Sequence, residues 1–191
     1  MKHFFEDSRE WAEGRLPVFR GLLLLFFLII GIRHLADPMF NSIFKGLNLG
    51  IHELGHFLFL PFGHFMHMVG GTITQLAVPV ISMLMFYRQK DYFAIAVSFG
   101  WLSTNFYDIA VYVADARALA LPLVSPFGTE VIHDWNYLLG KLNMLSWDKG
   151  LGRFSRFLGL VSMLLCLVYG GWLVYWMFRT YRIEKLSDFE T

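Results

Sequence analysis

Two histidines and a glutamate stand together in the apolar stretch His52-Glu53-Leu54-Gly55-His56, which has the pattern H-E-x-x-H. On a helix, residues four positions apart lie on one face, so His52 and His56 can bind the same metal ion. Glu53 lies beside them and can reach a water on that metal, for which it would act as general base. The pattern therefore predicts a metal centre with Zn²⁺ as its cofactor and hydrolysis by a zinc-activated water.

The surroundings of Glu53 strengthen this interpretation. It is the only glutamate between Glu13 and Glu130, and residues 54–87 contain no Asp, Glu, Lys or Arg. A carboxylate in an apolar helix is costly unless it is paired or bound to a metal. The competing interpretation is a His/Glu cluster that is satisfied by hydrogen bonds alone or that binds a partner.

A third metal ligand must come from elsewhere in the chain, because a catalytic zinc site usually takes three protein ligands. We expect it from the pair His133-Asp134, which begins a short helix with apolar neighbours and in which one residue can orient the other. The alternative role for Asp134 is the N-cap of that helix. Two other carboxylates stay open as ligands, Asp108 and Asp115. An interhelical hydrogen bond is the alternative for Asp108, and we expect His64 and His67 to be interfacial or to support the ligands.

The composition indicates that most of the chain lies in a membrane. Of its 191 residues, 56% are hydrophobic and only 16% are charged, against about 25% charged in an ordinary globular domain. A soluble domain of this size could not bury so much apolar surface. The net charge of +1 gives no electrostatic footprint for nucleic acid. The single cysteine, Cys166, excludes an intramolecular disulfide. We expect an integral, multi-pass protein of the lipid bilayer, located in the cell membrane, with no nucleic-acid partner.

The apolar runs predict an all-α fold with about five transmembrane helices in a single membrane-embedded domain, residues 1–191. Residues 1–16 are polar. The predicted spans are 17–36, 42–60, 73–88, 92–117 and 155–180, with a short helix at about 133–143. Between the second and third spans, Pro61, Gly63 and the pair Gly70-Gly71 predict an irregular apolar link over residues 61–72. Irregular backbone at membrane depth must be covered by protein or line a watery cavity, so we expect this link to line the site.

A hydrophobic helix with His52-Glu53-Leu54-Gly55-His56 and a following Gly-Gly link resembles the site-2 protease family of membrane-embedded zinc metalloproteases. The resemblance covers residues 40–88. It implies that His52 and His56 bind zinc, that Glu53 activates the water, and that a later transmembrane helix supplies an Asp. Asp134 is the candidate for this Asp, in the context His-Asp-Trp-Asn where the family has Asp-Gly. The implied activity is intramembrane proteolysis of membrane protein or peptide substrates, with residues 61–72 holding the substrate as an extended strand.

Other functions stay open. The chain could be a non-catalytic metal-binding or pseudo-protease subunit of a larger membrane complex. It could also bind a haem or chlorophyll-type macrocycle, although the neighbouring Glu53 argues against axial ligation. A di-iron membrane oxygenase is a further alternative, since His52 to His56 and His64 to His67 have the spacing of its histidine boxes. Such an oxygenase needs more histidines than the seven in this chain.

Overall fold

The structure is a computed structural model of the chain, and it describes residues 2–122 and 132–187. Over these residues the fold is all-α, as predicted, with seven helices and no strand. The helices are α1 (Lys2–Ala12), α2 (Val18–Ala36), α3 (Lys45–Phe59), α4 (His64–Arg88), α5 (Tyr92–Ala114), α6 (Asp134–Lys141) and α7 (Asp148–Ser187). Single 3-10 turns occupy Leu60–Phe62 and Leu145–Trp147. Residues 123–131, in the loop expected before α6, lie outside the described residues.

Among the described residues, three helices are long and apolar enough to cross a bilayer: Val18–Ala36, His64–Arg88 and Leu145–Tyr181. Val18–Ala36, with 19 residues, matches the roughly 20 residues needed for a hydrocarbon core of about 30 Å, and the other two helices exceed this length. Two of the predicted spans, α3 and α5, are not among these three helices. Helix α3 has only 15 residues, and α5, with 23, buries several Ser, Thr and Asn side chains that lower its hydropathy.

Helix α5 is the central helix of the packing and lies along α7, with α2 against the same pair. Hydroxyl groups join the two long helices. Ser103 Oγ donates to the carbonyl of Gly159 at 2.7 Å, and Ser162 Oγ donates to the carbonyl of Phe99 at 2.8 Å. Such bonds satisfy hydroxyls where no water is available.

Helices α3 and α4 form an antiparallel hairpin with a tight connection. The 3-10 turn at Leu60–Phe62 is followed by Gly63, whose φ of +89° would strain a residue with a side chain. Helix α4 begins at the next residue, His64, and is continuous to Arg88. The predicted irregular link over 61–72 is therefore wrong beyond Gly63, and so is a third span that begins only at residue 73. Residues 64–72 are helical and do not hold substrate as an extended strand.

Contrary to the predicted break at Gly70-Gly71, the pair lies within α4 and serves the packing of α3 on α4. A Cβ built on Gly70 would lie 2.5 Å from the Cβ of Phe59, and one built on Gly55 would overlap the carbonyl oxygen of Gly70. Glycines let the two backbones approach closely, as small residues do in membrane helices. The close approach brings α4 against the histidines of α3.

Candidate metal centre

Three side chains from two helices converge on one point beside α4. His52 Nε2 lies 2.9 Å and His56 Nε2 3.2 Å from Oδ2 of Asp134. The three donor atoms all lie within 4.8 Å of one another. With Zn–N and Zn–O bonds of about 2.0–2.2 Å, neighbouring ligands of a tetrahedral zinc lie about 3.3 Å apart. The group could therefore hold a divalent metal ion, with two nitrogen donors and one oxygen donor.

The two histidines share a face of α3 as the i, i+4 spacing predicts, and Asp134 reaches them because of how α6 is anchored. Helix α6 begins at Asp134 and buries Leu138 and Leu139. Asn136 Nδ2 donates to the carbonyl of Ala116 at 2.7 Å, which ties α6 to the end of α5. These contacts place the first residue of α6 next to α3.

The hydrogen bond of His56 determines which of its ring nitrogens can bind a metal. Its Nδ1 lies 2.7 Å from the backbone carbonyl of His67, which can only accept, so Nδ1 carries a proton. The Nε2 of the neutral ring then has a lone pair, which faces the carboxylate of Asp134. Two acceptors at 3.2 Å repel unless a cation lies with them, either a proton on Nε2 or a metal ion. A ring N–H donated to a carbonyl is the usual outer contact of a metal-binding histidine.

The carboxyl group of Asp134 is in its charged form. Burial alone would raise its pKa, but the hydrogen bonds and charges of His52 and His56 outweigh burial and lower the pKa of Asp134 to about 2. A buried carboxylate needs a compensating positive charge. The charge of Asp134 and the lone pairs of the two rings suit a divalent cation at this position.

Gly71 provides the space that the two imidazole rings occupy. A Cβ at this position would lie 2.6 Å from Nε2 of His52 and 2.8 Å from Nε2 of His56. Any residue with a side chain would therefore displace the two donor atoms. Gly71 forms the wall of the site on α4.

Two residues that the sequence reasoning missed support the ligands from outside. Oε1 of Gln75 lies 3.0 Å from Nδ1 of His52, and the backbone N–H of Asp134 donates to Oη of Tyr112 at 3.1 Å. A signal existed for Gln75, because it is a lone amide within an uncharged apolar stretch and needs a partner there. The sequence around Tyr112 carries no comparable signal.

Glu53 lies next to His52 on α3 and is half-buried. Among the described residues, none donates a hydrogen bond to its carboxylate.

The other candidate ligands are not part of this group of donor atoms. His133 is the N-cap of α6, where its Nδ1 accepts from the backbone N–H of Asn136. Burial lowers the pKa of His133, whose Nε2 faces Asp115 at 3.7 Å. Asp115 in turn accepts from the backbone of the following loop, at Ala120 and Leu121.

Asp108 takes the alternative role considered for it, since Nδ2 of Asn48 on α3 donates to its Oδ2 at 2.7 Å. His67 lies beside His56, with ring centroids 5.1 Å apart. His64 is exposed and packs edge-on against Tyr137 at 4.6 Å.

The donor set of the centre has a definite chemistry. Two imidazoles and one carboxylate are the ligands of several hydrolytic zinc sites, in which a fourth position is open to water or substrate. Other divalent first-row metals accept the same donors, so the geometry could hold any of several divalent ions. No family model, no curated protein and no solved structure matches this chain.

Proposed function

We propose that this protein is a membrane-embedded zinc metalloprotease that hydrolyses peptide bonds of membrane protein or peptide substrates. One observation carries the proposal: the buried donor atoms of His52, His56 and Asp134 have the spacing of ligands to a single divalent ion. Glu53 directly follows His52 on α3. The resemblance of the H-E-x-x-H helix to the site-2 protease family supports the same activity.

A bound Zn²⁺ would supply Lewis-acid chemistry and lower the pKa of a water towards about 7. The remaining steps belong to the chain. Glu53 accepts the proton of the attacking water and later delivers it to the leaving amine. His52 and His56 direct Nε2 towards the metal position, because Nδ1 of each ring faces an acceptor, Oε1 of Gln75 and the backbone carbonyl of His67 respectively. Burial of the ligands excludes bulk water and strengthens every electrostatic interaction in the site.

The proposal includes five membrane-embedded helices, with α3 and α5 added to the three candidate spans. With 15 residues, α3 is about 22 Å long and enters the bilayer without having to cross all of it. It exposes Leu47, Leu54 and Leu58 by more than half, and lipid would cover these side chains. Neighbouring helices would shield α5 from lipid, so its polar side chains can lie within the membrane-embedded part of the protein. Substrate would then approach Glu53 from within the cell membrane.

The test compares the full chain with its Glu53→Gln variant in detergent micelles. The probe is a set of transmembrane peptides with a flexible, non-helical segment, because a helix keeps its carbonyls bonded internally. We expect Glu53→Gln to keep its zinc and to lose at least about 100-fold in hydrolysis rate, the scale of general-base catalysis. Glu13→Gln, an exposed glutamate before α2, is the matched control.

Two results would separate the proposal from its alternative. If Glu53→Gln cleaves the peptides at the wild-type rate, the general-base role is wrong. If the zinc-loaded wild type cleaves none of them, the non-catalytic metal-binding subunit of a larger complex becomes the better interpretation.

A further inference from the structure

A buried amide in α4 contacts the metal centre from the side opposite Asp134. Gln75 is only 5% exposed and lies within the candidate span His64–Arg88. An amide in such an apolar helix needs a hydrogen-bond partner, and polar contacts of this kind join neighbouring membrane helices. The partner of Gln75 is His52, whose Nδ1 lies 3.0 Å from Oε1 of the amide.

This contact decides which nitrogen of His52 can bind a metal. A neutral imidazole carries one proton, and the hydrogen bond made by one nitrogen selects the state of the other. If the proton were on Nε2, this atom would donate to Asp134 and could not bind a metal. An acceptor at Nδ1 holds the proton there and leaves the Nε2 lone pair 2.9 Å from Oδ2 of Asp134.

The two histidines differ in what provides this acceptor. For His56 it is the backbone carbonyl of residue 67, which no substitution removes. For His52 it is the side chain of Gln75. The state of His52 therefore depends on one replaceable group, and this group lies one helical turn after Gly71, which makes room for both rings.

We propose that Gln75 is the positioning residue of the metal centre. Its Oε1 accepts a hydrogen bond from Nδ1–H of His52. This contact holds the ring in a fixed orientation and presents Nε2 to a divalent cation shared with His56 and Asp134. Helix α4 is thereby part of the metal site although it supplies no ligand. The inference rests on the proposed function only in requiring that a divalent metal binds to these three residues.

The experiment uses two substitutions of similar size in the full chain, purified in detergent. Gln75→Glu keeps an acceptor at the same place, whereas Gln75→Met fills the space without one. The dissociation constant for Zn²⁺ is measured by competition with a chromophoric chelator, and the visible absorption of bound Co²⁺ reports the ligand geometry. The other glutamine of the sequence lies at the end of α4, so Gln89→Met is the matched control.

We expect Gln75→Met to raise the Zn²⁺ dissociation constant about 10- to 100-fold, the usual effect of losing the outer contact of a ligand, and to alter the Co²⁺ spectrum. Gln75→Glu should bind Zn²⁺ at least as tightly as the wild type, because a carboxylate is the stronger acceptor. If Gln75 only fills space, the reverse result is expected: Gln75→Met is tolerated, and Gln75→Glu is not, because it buries a charge.

The outcomes distinguish this inference from the proposed function. A wild type that binds no divalent metal overturns both. A wild type that binds Zn²⁺, with Gln75→Met binding it equally well, overturns the role of Gln75 alone. If Gln75→Met does not fold, Gln75→Glu decides: binding as tight as in the wild type supports the role, and a folded variant that has lost Zn²⁺ overturns it.

Discussion

His56 and His67 exchange two hydrogen bonds between α3 and α4. Nδ1 of His56 donates to the carbonyl oxygen of His67 at 2.7 Å, and Nδ1 of His67 donates to the carbonyl oxygen of His56 at 2.8 Å. The pair closes the helical hairpin beside the metal centre and fixes the proton of His56 on Nδ1. The two histidines thus have different roles, since His56 directs its Nε2 towards Asp134 and His67 holds His56 in place.

The first prediction concerns His67→Ala. The substitution removes the bond from the His67 ring but keeps the backbone carbonyl that fixes His56. We expect the variant to keep its metal and to lose about 1 kcal/mol of stability, the net worth of an ordinary hydrogen bond. Metal analysis and thermal unfolding in detergent test this, with the exposed His64 changed to Ala as control. Complete loss of metal from His67→Ala would indicate that His67 is itself a ligand.

The second prediction concerns the space at Gly71. In Gly71→Ala the added methyl group would meet Nε2 of both His52 and His56 at under 3 Å, so we expect Zn²⁺ affinity to fall by at least about tenfold, as when ligand orientation is disturbed. Gly50→Ala on α3 is the control, because a Cβ there meets no atom within 4 Å. Titration with Zn²⁺ distinguishes the two. Equal affinities would mean that the rings are not held against α4.

The third prediction separates Asp134 from His133. Asp134→Ala removes a donor atom of the centre, so we expect it to abolish tight metal binding. His133→Ala removes the N-cap of α6, and we expect it to lower stability by about 1 kcal/mol while metal binding persists. Metal content and thermal unfolding of both variants provide the check. If His133→Ala loses its metal and Asp134→Ala keeps it, the ligand assignment must be exchanged.

The fourth prediction concerns the polar contact between α3 and α5. Asn48 is 1% exposed, accepts from Nε1 of Trp101 and donates to Asp108. In Asn48→Leu these partners lose their hydrogen bonds, so we expect a loss of about 1–3 kcal/mol for each buried group left unsatisfied, with all metal ligands in place. Denaturation of the loaded protein measures the loss, against Asn41→Leu at an exposed position. Unchanged stability would contradict the structural role of Asn48.

Features with a strong local pattern could be predicted from the sequence. The long apolar runs of α2 and α7 gave correct helices, because composition and length alone identify such segments. The spacing of His52 and His56 placed both rings on one face. Asp134 was among few carboxylates in apolar surroundings, which is why it could be proposed despite its distance along the chain.

Features that depend on the packing of one helix on another could not be predicted from the sequence. A Gly-Gly pair is typical of a break and also of close helix contact, and only the proximity of Phe59 and the two histidine rings shows that Gly70-Gly71 serves contact. His133 and Asp134 are adjacent and chemically alike as ligands. Which of them faces α3 is determined by the start of α6. Gln75 lacks any spacing relation to His52, so its role emerges only when α4 lies against α3.

We infer that His52, His56 and Asp134 together hold one divalent metal ion. The most direct measurement is the metal content of the full chain after purification in detergent without chelators, side by side with His56→Ala. We expect about one Zn²⁺ per chain in the wild type, as for a single site with three protein ligands, and none above background in the variant. A wild type that binds no divalent metal, or a His56→Ala variant that retains it in full, would contradict the claim.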